Sequence, residues 1–257
     1  MESALEAIRF FASSANRVQV LTSLIETPAT RQELQEEVEA SRATVARILT
    51  EAETRGWVDS EGSQYWLTKR GEAMVTDFRS YLTSVKGHQH LGDMVEHLPP
   101  PLVAIDFRHL RDADIIEMTA EDPSAPFTRS LDVFREATDY RGLNNTSLPE
   151  HAKVLQDGVE QDDLVFEQVF EHSFLETIRT DPDRAAMWNS LADTVWIYEG
   201  VVPINLHIID DTVLVWLGET RGEVAGLLES DNSAVLSWAE SLYEEYRSDA
   251  KLLSEKE

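Results

Sequence analysis

Residues 41–58 read SRATVARILTEAETRGWV, and how this stretch is read decides the fold of the first third of the chain. Val45, Ile48, Leu49 and Ala52 recur at three- and four-residue spacing, so they share one face of a helix, and that face goes inward. Ser41 stands where a hydroxyl caps the open N–H groups of a first turn, and Gly56 where a helix closes in a left-handed turn. Opposite the apolar stripe lie Ala43, Arg47, Thr50 and Thr54, with Ser41, Arg42 and Thr44 flaring outward at the amino end. Small side chains permit close approach to base edges, and a guanidinium can grip guanine through two hydrogen bonds. This face carries no acid before Glu51, although 48 of the 257 residues are Asp or Glu.

Upstream, Leu5, Ile8 and Phe11, then Val18, Leu21, Leu24 and Ile25, keep helical spacing with a break around Ser13 to Asn16, which predicts two helices. Thr30 followed by Glu33 has the form of a capping box and starts a short helix over 31–38. Downstream, WVDS and SQYWL flank a turn and predict a hairpin, and Thr68 opens a long amphipathic helix, KRGEAMVTDFRSYLTSV. This order is the winged helix-turn-helix arrangement, in which the helix after the turn enters the DNA major groove. The expected DNA contacts are Ser41, Arg42, Ala43, Thr44 and Arg47, with Arg31, Lys69 and Arg70 near phosphates. Ser41 has a plainer role as a cap, and Arg55 is expected to pair with Glu51 or face solvent. The whole DNA-binding expectation depends on the Arg47 guanidinium projecting away from the interior, so a carboxylate of its own subunit held against it is expected to end the case. Asp59 and Glu61 make the hairpin tip acidic, which opposes insertion of the wing along a phosphate backbone.

The formal net charge is -26, unevenly divided: residues 1–86 hold 10 basic and 13 acidic residues, and residues 87–257 hold 12 and 35. That shift, followed by KGHQHLGD and the LPPP run at 98–101, places a boundary between domains 1–86 and 87–257. Acid spread without blocks fits a folded protein suited to multimolar salt, where screening removes self-repulsion. In such salt counterion release contributes little, its slope being about -0.9 per phosphate neutralised, so direct base contacts carry more of the discrimination. The absence of cysteine excludes disulfides, thiolate zinc sites and cysteine nucleophiles. No apolar run approaches the roughly 18 residues of a membrane span and the start lacks a signal-like pattern, so a cytoplasmic protein is expected.

The segments ALEAIRFFASSANRVQVLTSL, TRQELQEEVEASRATVARILTEAETRGWV and YWLTKRGE resemble haloarchaeal winged-helix transcriptional regulators. The later stretch from LADTVWIYEG to SLYEEYR resembles the C-terminal (middle) domain of archaeal regulators named for methanogenesis control. The resemblance implies a sequence-specific DNA-binding regulator with a C-terminal sensing or dimerising domain, distantly similar to the phospholipase-D-like sensor domains of archaeal sugar regulators.

The second unit alternates branched apolar runs (ADIIEMT, YRGLNN, DDLVFEQVF, ADTVWIYEG, VPINLHIID, TVLVWLG) with helical segments, which predicts an α/β domain and, for the whole chain, a multi-domain α+β protein. Trp188, Trp196, Trp216 and Trp238 are read as core. His88, His90, Asp93 and His97 lie close together, but no two of the histidines have i, i+4 spacing and the stretch reads as a linker, so no metal and no other cofactor is expected. His151 and Lys153 form the HxK pair of phospholipase-D-type phosphodiesterases, yet the downstream acid and a GSxN-like segment are missing and the pair falls in a helix. No catalytic residue is assigned. For a ligand, Arg129, Arg141 and Asn144 follow the first strands and suit a small anionic metabolite, unless the arginines pair with local carboxylates.

The combined expectation is a homodimeric transcription factor with recognition helices roughly 34 Å apart. The dimer contact is placed on residues 68–86 through Met74, Val75, Phe78, Tyr81, Leu82 and Val85. The alternatives are a winged-helix adaptor acting through protein contacts and a phosphodiesterase in the second domain.

Overall fold

The computed structural model describes residues 1–218 and 223–255, and the chain divides into two units, Met1–Thr83 and Ser84–Glu257. The first unit begins with α1 (Glu2–Ala12) and α2 (Ala15–Ser23), followed by β1 (Ala29–Thr30) and α3 (Arg31–Val38). Then come α4 (Arg42–Thr54), the hairpin β2 (Val58–Glu61) and β3 (Gln64–Leu67), and α5 (Lys69–Leu91), which starts in this unit. The predicted capping box is present: Glu33 N–H donates to Thr30 Oγ1 and Thr30 N–H donates to Glu33 Oε2 at 2.7 Å. These bonds, the backbone one first, hold the Glu33 carboxyl below its ordinary range. Glu39 in the left-handed conformation ends α3, and Ser41 opens α4 by accepting from Thr44 N–H at 3.2 Å. The hairpin pairs Val58 with Leu67 and Glu61 with Gln64, and β1 adds a third strand beside β3. The α4 stripe of Val45, Ile48, Leu49 and Ala52 is wholly buried, with Leu21 and Leu34 in the same cluster. Phe11 is stacked between Trp57 (5.3 Å) and Phe78 (4.7 Å). This is the winged helix-turn-helix expected from the apolar periodicity.

The expected linker at KGHQHLGD is corrected, because α5 continues without a break to Leu91. Gly87 is there for a close approach: a Cβ on it would lie 1.9 Å from the Phe107 carbonyl oxygen. His88 and His90 are therefore helical; the first ring meets Phe107 edge-on and the second donates Nε2–H to the Ala113 carbonyl. Among the described residues no group of three or more His, Asp or Glu is arranged to hold a metal.

After a 3-10 turn at Gly92–His97, the second unit contains α6 (Pro100–Val103), β4 (Asp114–Glu117), α7 (Ala125–Glu136) and β5 (Asp139–Asn144). It continues with α8 (Pro149–Glu160), β6 (Val165–Glu171), α9 (His172–Arg179), α10 (Pro182–Ser190) and β7 (Val195–Tyr198). The last elements are β8 (Leu206–Ile209), β9 (Thr212–Leu217), β10 (Gly226–Ser230), α11 (Ser233–Ser248) and β11 (Lys251–Leu252). The eight strands form one mixed sheet in the order β11-β7-β6-β5-β8-β9-β10-β4, with β5, β6 and β7 parallel and the other pairings antiparallel. The α/β class holds. Strands β10 and β11 were not expected, the first because GLLES mixes apolar and polar residues over five positions, the second because it has two residues.

Strand alternation separates the two faces. One face, with Leu143, Val169, Leu206, Ile208, Val213 and Val215, packs on Val235, Ala239 and Tyr243 of α11. The other, with Tyr140, Phe166, Phe170, Ile209 and Leu214, is covered by α7, α8, α9 and α10. Helices on both faces leave the central strands buried on both sides, which is why their sequences run apolar.

Candidate functional site

On α4 the expected reading surface faces solvent. Ser41, Arg42, Ala43, Arg47 and Thr50 are exposed and Thr44 is half-buried. The Ser41 hydroxyl is committed to the helix, capping Thr44 N–H and sharing a 2.9 Å hydrogen bond with Thr44 Oγ1. Arg42 has no side-chain partner among the described residues. Arg47 does not project freely: its Nη1 lies 3.3 Å from Glu51 Oε1, although the side chain is 59% exposed. Glu51 is held more closely from α2, where Arg17 Nη2 reaches Oε2 at 2.6 Å. An exposed i, i+4 pair of this kind contributes about 0.3–0.5 kcal/mol, so Arg47 is tethered weakly. The expectation for Arg55 is corrected. Both Glu51 oxygens are taken, and the Arg55 guanidinium instead lies over the rings of Phe10 (5.2 Å) and Trp57 (5.4 Å).

Around α4, Arg31 at the start of α3 is exposed and lies 5.1 Å over the Tyr65 ring of the wing. Lys69 and Arg70 are exposed in the first turn of α5. Asp59 and Glu61 are exposed on the hairpin, so the wing tip is acidic. The dimer surface expected on α5 is reduced, because Val75 and Phe78 are buried in the unit's own core; Tyr81 remains 59% exposed, and exposed Leu5 and Ile8 add apolar area on α1.

The second unit holds a cavity of about 430 Å³ on the sheet face opposite α11. Its polar wall comes from three neighbouring strands. Tyr140, Gly142 and Asn144 alternate along β5, Gln168 sits beside Gly142 on β6, and His207 faces Gly142 from β8. Gly142 is required by this crowding: a Cβ there would fall 2.3 Å from Gln168 Oε1 and 2.6 Å from the Tyr140 hydroxyl. The bonds fix the proton positions. The indole N–H of Trp216 has nothing to accept with, so it donates to His207 Nε2 (3.1 Å) and leaves the proton on Nδ1. Nδ1–H then donates to the Tyr140 hydroxyl (2.7 Å), which donates to Gln168 Oε1 (3.1 Å). His207 is thus a neutral imidazole, and burial, with His151 second, lowers its pKa to about 3. Burial also lowers His151 to about 4. The Ser130 hydroxyl donates to the Phe127 carbonyl and accepts from His151 Nε2, both at 2.9 Å. Burial raises the Tyr140 hydroxyl well above its ordinary range.

The ligand residues expected from sequence are not brought together. Arg141 is three positions from Asn144 on one strand, so it points to the other face, where it meets Glu240 of α11 at 3.1 Å. Arg129, exposed on α7, grips Glu229 of β10, with Nε at 2.6 Å, and does not line the cavity. Asn144 alone of the three lines the cavity. Trp188 and Trp216 also line it, although both were read as core packing. His151 and Lys153 diverge around α8: the histidine is buried in the cavity wall, while the lysine is exposed and paired with Asp157. Residues two apart on a helix point about 200° apart, so the HxK pair builds no phosphate site. Sequence reasoning missed Tyr140, Gln168 and His207, whose signal was a polar residue at alternate positions inside an apolar strand.

Residues 5–90 match the family described as the HVO_A0261 N-terminal domain, and residues 123–249 the family described as the middle domain of the methanogenesis regulatory protein FilR1. No curated protein matches the chain. Among solved structures, TrmBL2, an archaeal chromatin protein described as showing a novel mode of DNA binding, is similar at 12% identity and a TM-score of 0.39, over 97% of this chain and 100% of that one. The phospholipase D family member Nuc from Salmonella typhimurium is similar at 14% identity and a TM-score of 0.42, over 55% of this chain and 97% of its own. NucT from Helicobacter pylori gives 10% identity and a TM-score of 0.42, over 55% of this chain and 98% of its own.

Proposed function

We propose that the chain, which matches the HVO_A0261 N-terminal domain over residues 5–90 and the FilR1 middle domain over residues 123–249, is a transcription regulator of the archaeal type that reads double-stranded DNA through α4. One observation carries the reading: the amino-terminal face of α4 offers unpartnered Arg42 and small Ala43 on an exposed surface that bears no acid before Glu51. Recognition helices place this part against base edges. Because Arg47 is paired with Glu51, Arg42 is the first candidate for guanine and Arg47 the second, released by exchanging a weak surface pair for a base. Lys69 and Arg70 serve phosphates.

The test is selection of a preferred duplex from random DNA with the full chain, followed by footprinting and titration in molar salt. Arg42→Ala is expected to lower affinity for the selected duplex by about 10- to 100-fold and for random DNA far less, each bidentate base contact being worth about 1–3 kcal/mol. Lys69→Ala is expected to weaken all sequences alike and to reduce the salt slope by about 1. Equal losses on both DNAs for Arg42→Ala exclude base reading.

The homodimer belongs to the same reading, now with Leu5 and Ile8 of α1 and Tyr81 of α5 as the apolar surface; sedimentation in molar salt showing a monomer at working concentration removes it. The acidic wing tip favours an adaptor as the second reading, and failure to select any duplex would favour it over DNA binding. Among the described residues no helix is long and apolar enough to cross a membrane.

A further inference from the structure

The cavity between the sheet and α7, α8 and α10 is walled by flat rings, with Phe127, Phe134, Tyr140, Trp188 and Trp216 all facing it. Its volume of about 430 Å³ lies within the roughly 300–1,000 Å³ that ordinary small-molecule sites occupy. Among the described residues the wall carries no Lys or Arg, and its one charged side chain is exposed Glu223. Neither histidine brings charge: the indole donor holds His207 Nε2 unprotonated, and His151 is buried with Nε2–H given to Ser130. Among the described residues an anion would meet no cation in this wall. A cation would meet no buried carboxylate.

Two wall residues keep a polar atom without a partner. Asn144, 2% exposed, gives its amide N–H to Gln168 Oε1 and leaves Oδ1 unpaired, and Trp188, 2% exposed, leaves Nε1–H unpaired. One is an acceptor and the other a donor. Buried polar groups in folded proteins are nearly always paired, so two complementary orphans in one wall mark a place where a guest supplies the partners. Gln168 turns its Oε1 towards Asn144 and its amide nitrogen towards the Val169 carbonyl, and Asn144 Oδ1 receives no hydrogen bond from it.

We infer that this cavity is a binding site for an uncharged aromatic small molecule carrying both a hydrogen-bond donor, for Asn144 Oδ1, and an acceptor, for Trp188 Nε1. The rings stack on the guest's faces, and the fixed Tyr140–Gln168–His207 chain keeps the floor rigid. The assignment stands whether or not α4 binds DNA.

Three probes of one shape and different charge test it on the full chain: benzamide, benzoate and benzamidinium, each titrated by calorimetry. Benzamide has both the donor and the acceptor, and is expected to bind saturably and at least about ten-fold more tightly than either ion, the penalty for placing an unpaired charge in an apolar site. Asn144→Leu and Trp188→Phe are each expected to weaken benzamide several-fold, while Arg129→Ala, which does not line the cavity, leaves it unchanged. If Asn144→Leu does not fold, Trp188→Phe carries the comparison. Saturable binding of benzoate or benzamidinium as tight as benzamide overturns the proposal, as does the absence of saturable benzamide binding or full benzamide affinity in the folded wall variants.

Discussion

In Met1–Thr83 the polar side chains of interest stand outside an apolar core, whereas in Ser84–Glu257 a hydrogen-bonded chain of Tyr140, Gln168 and His207 lies inside, on one face of the sheet. The charge divides the opposite way. The first unit carries 9 basic and 13 acidic residues, the second 13 and 35, and all seven histidines fall in the second. In the near-balanced first unit Arg42 has no side-chain partner among the described residues and Arg47 is held only by a weak exposed pair, while in the strongly acidic second unit arginines are tied to carboxylates, as with Arg129 to Glu229 and Arg141 to Glu240. The same residue type therefore means different things in the two units, and the local surplus of acid decides which.

The contrast predicts different kinds of fragility. The largest effect is expected in the first unit from Phe11→Ala, which empties the space between Trp57 and Phe78. Truncating a buried phenylalanine costs about 3–5 kcal/mol through lost transfer energy and the cavity left behind. The titratable side chains in ring contact with this stack, Arg55 over Trp57 and Tyr81 beside Phe78, are neither carboxyls nor histidines, so the loss in urea denaturation should be the same at neutral and mildly acidic pH. A loss that grows as pH falls would show that this core, too, depends on a buried ionisable group.

How far the sequence could be read follows the same line. The α4 stripe was legible through its 3.6-residue period of burial, the Thr30–Glu33 box through its cap spacing, and the strands from ADIIEMT to TVLVWLG through short apolar runs rich in branched residues. The extension of α5 past Gly87 was not, since glycine there answers to the Phe107 backbone about twenty residues away in the chain rather than to helix propensity. The cavity was not legible either. Tyr140, Gln168 and His207 meet only through the registers Gly142–Gln168 and Gly142–His207, and periodicity does not report which strands are neighbours. Reading Arg141 with Asn144 failed for a simpler reason: an odd offset on a strand puts two residues on opposite faces.

The second unit is expected to lose stability on mild acidification through its buried histidines. Both are neutral when folded, with pKa values lowered to about 3 for His207 and about 4 for His151, against about 6.5 unfolded. Below pH 6.5 the unfolded chain binds more protons than the folded one, so this contribution is whole above that pH and is lost as pH falls towards 4. Each group contributes a slope of up to about 1.4 kcal/mol per pH unit in that window. Carboxylates add to the acid response, so the useful measurement is the difference between the parent and His207→Gln. The variant should be less stable at neutral pH yet decline less steeply from about pH 6.5 to 4.5. Parallel slopes would mean that His207 is charged or solvated in the fold, and the protonation scheme drawn from the Trp216 indole would fail with it.

The smallest effect on folding, and the sharpest for the contrast, is expected at Arg47. Its contact with Glu51 is exposed, spans one helical turn, and is the longer of two competing claims on that carboxylate. Arg47→Ala should therefore change stability by no more than about 0.5 kcal/mol. Folding gives almost no reason for an arginine here, and any substantial consequence must come from outside the chain. If Arg47 leaves Glu51 to meet a base, Arg47→Ala lowers affinity for the selected duplex by about ten-fold or more while random DNA is little affected. Glu51→Gln then does the reverse, because it removes the competitor while Arg17 keeps a neutral acceptor. Equal losses on both duplexes would make Arg47 a phosphate contact. With no loss on either, its pairing with Glu51 is its whole role, and base reading by α4 rests on Arg42, which has no carboxylate to leave.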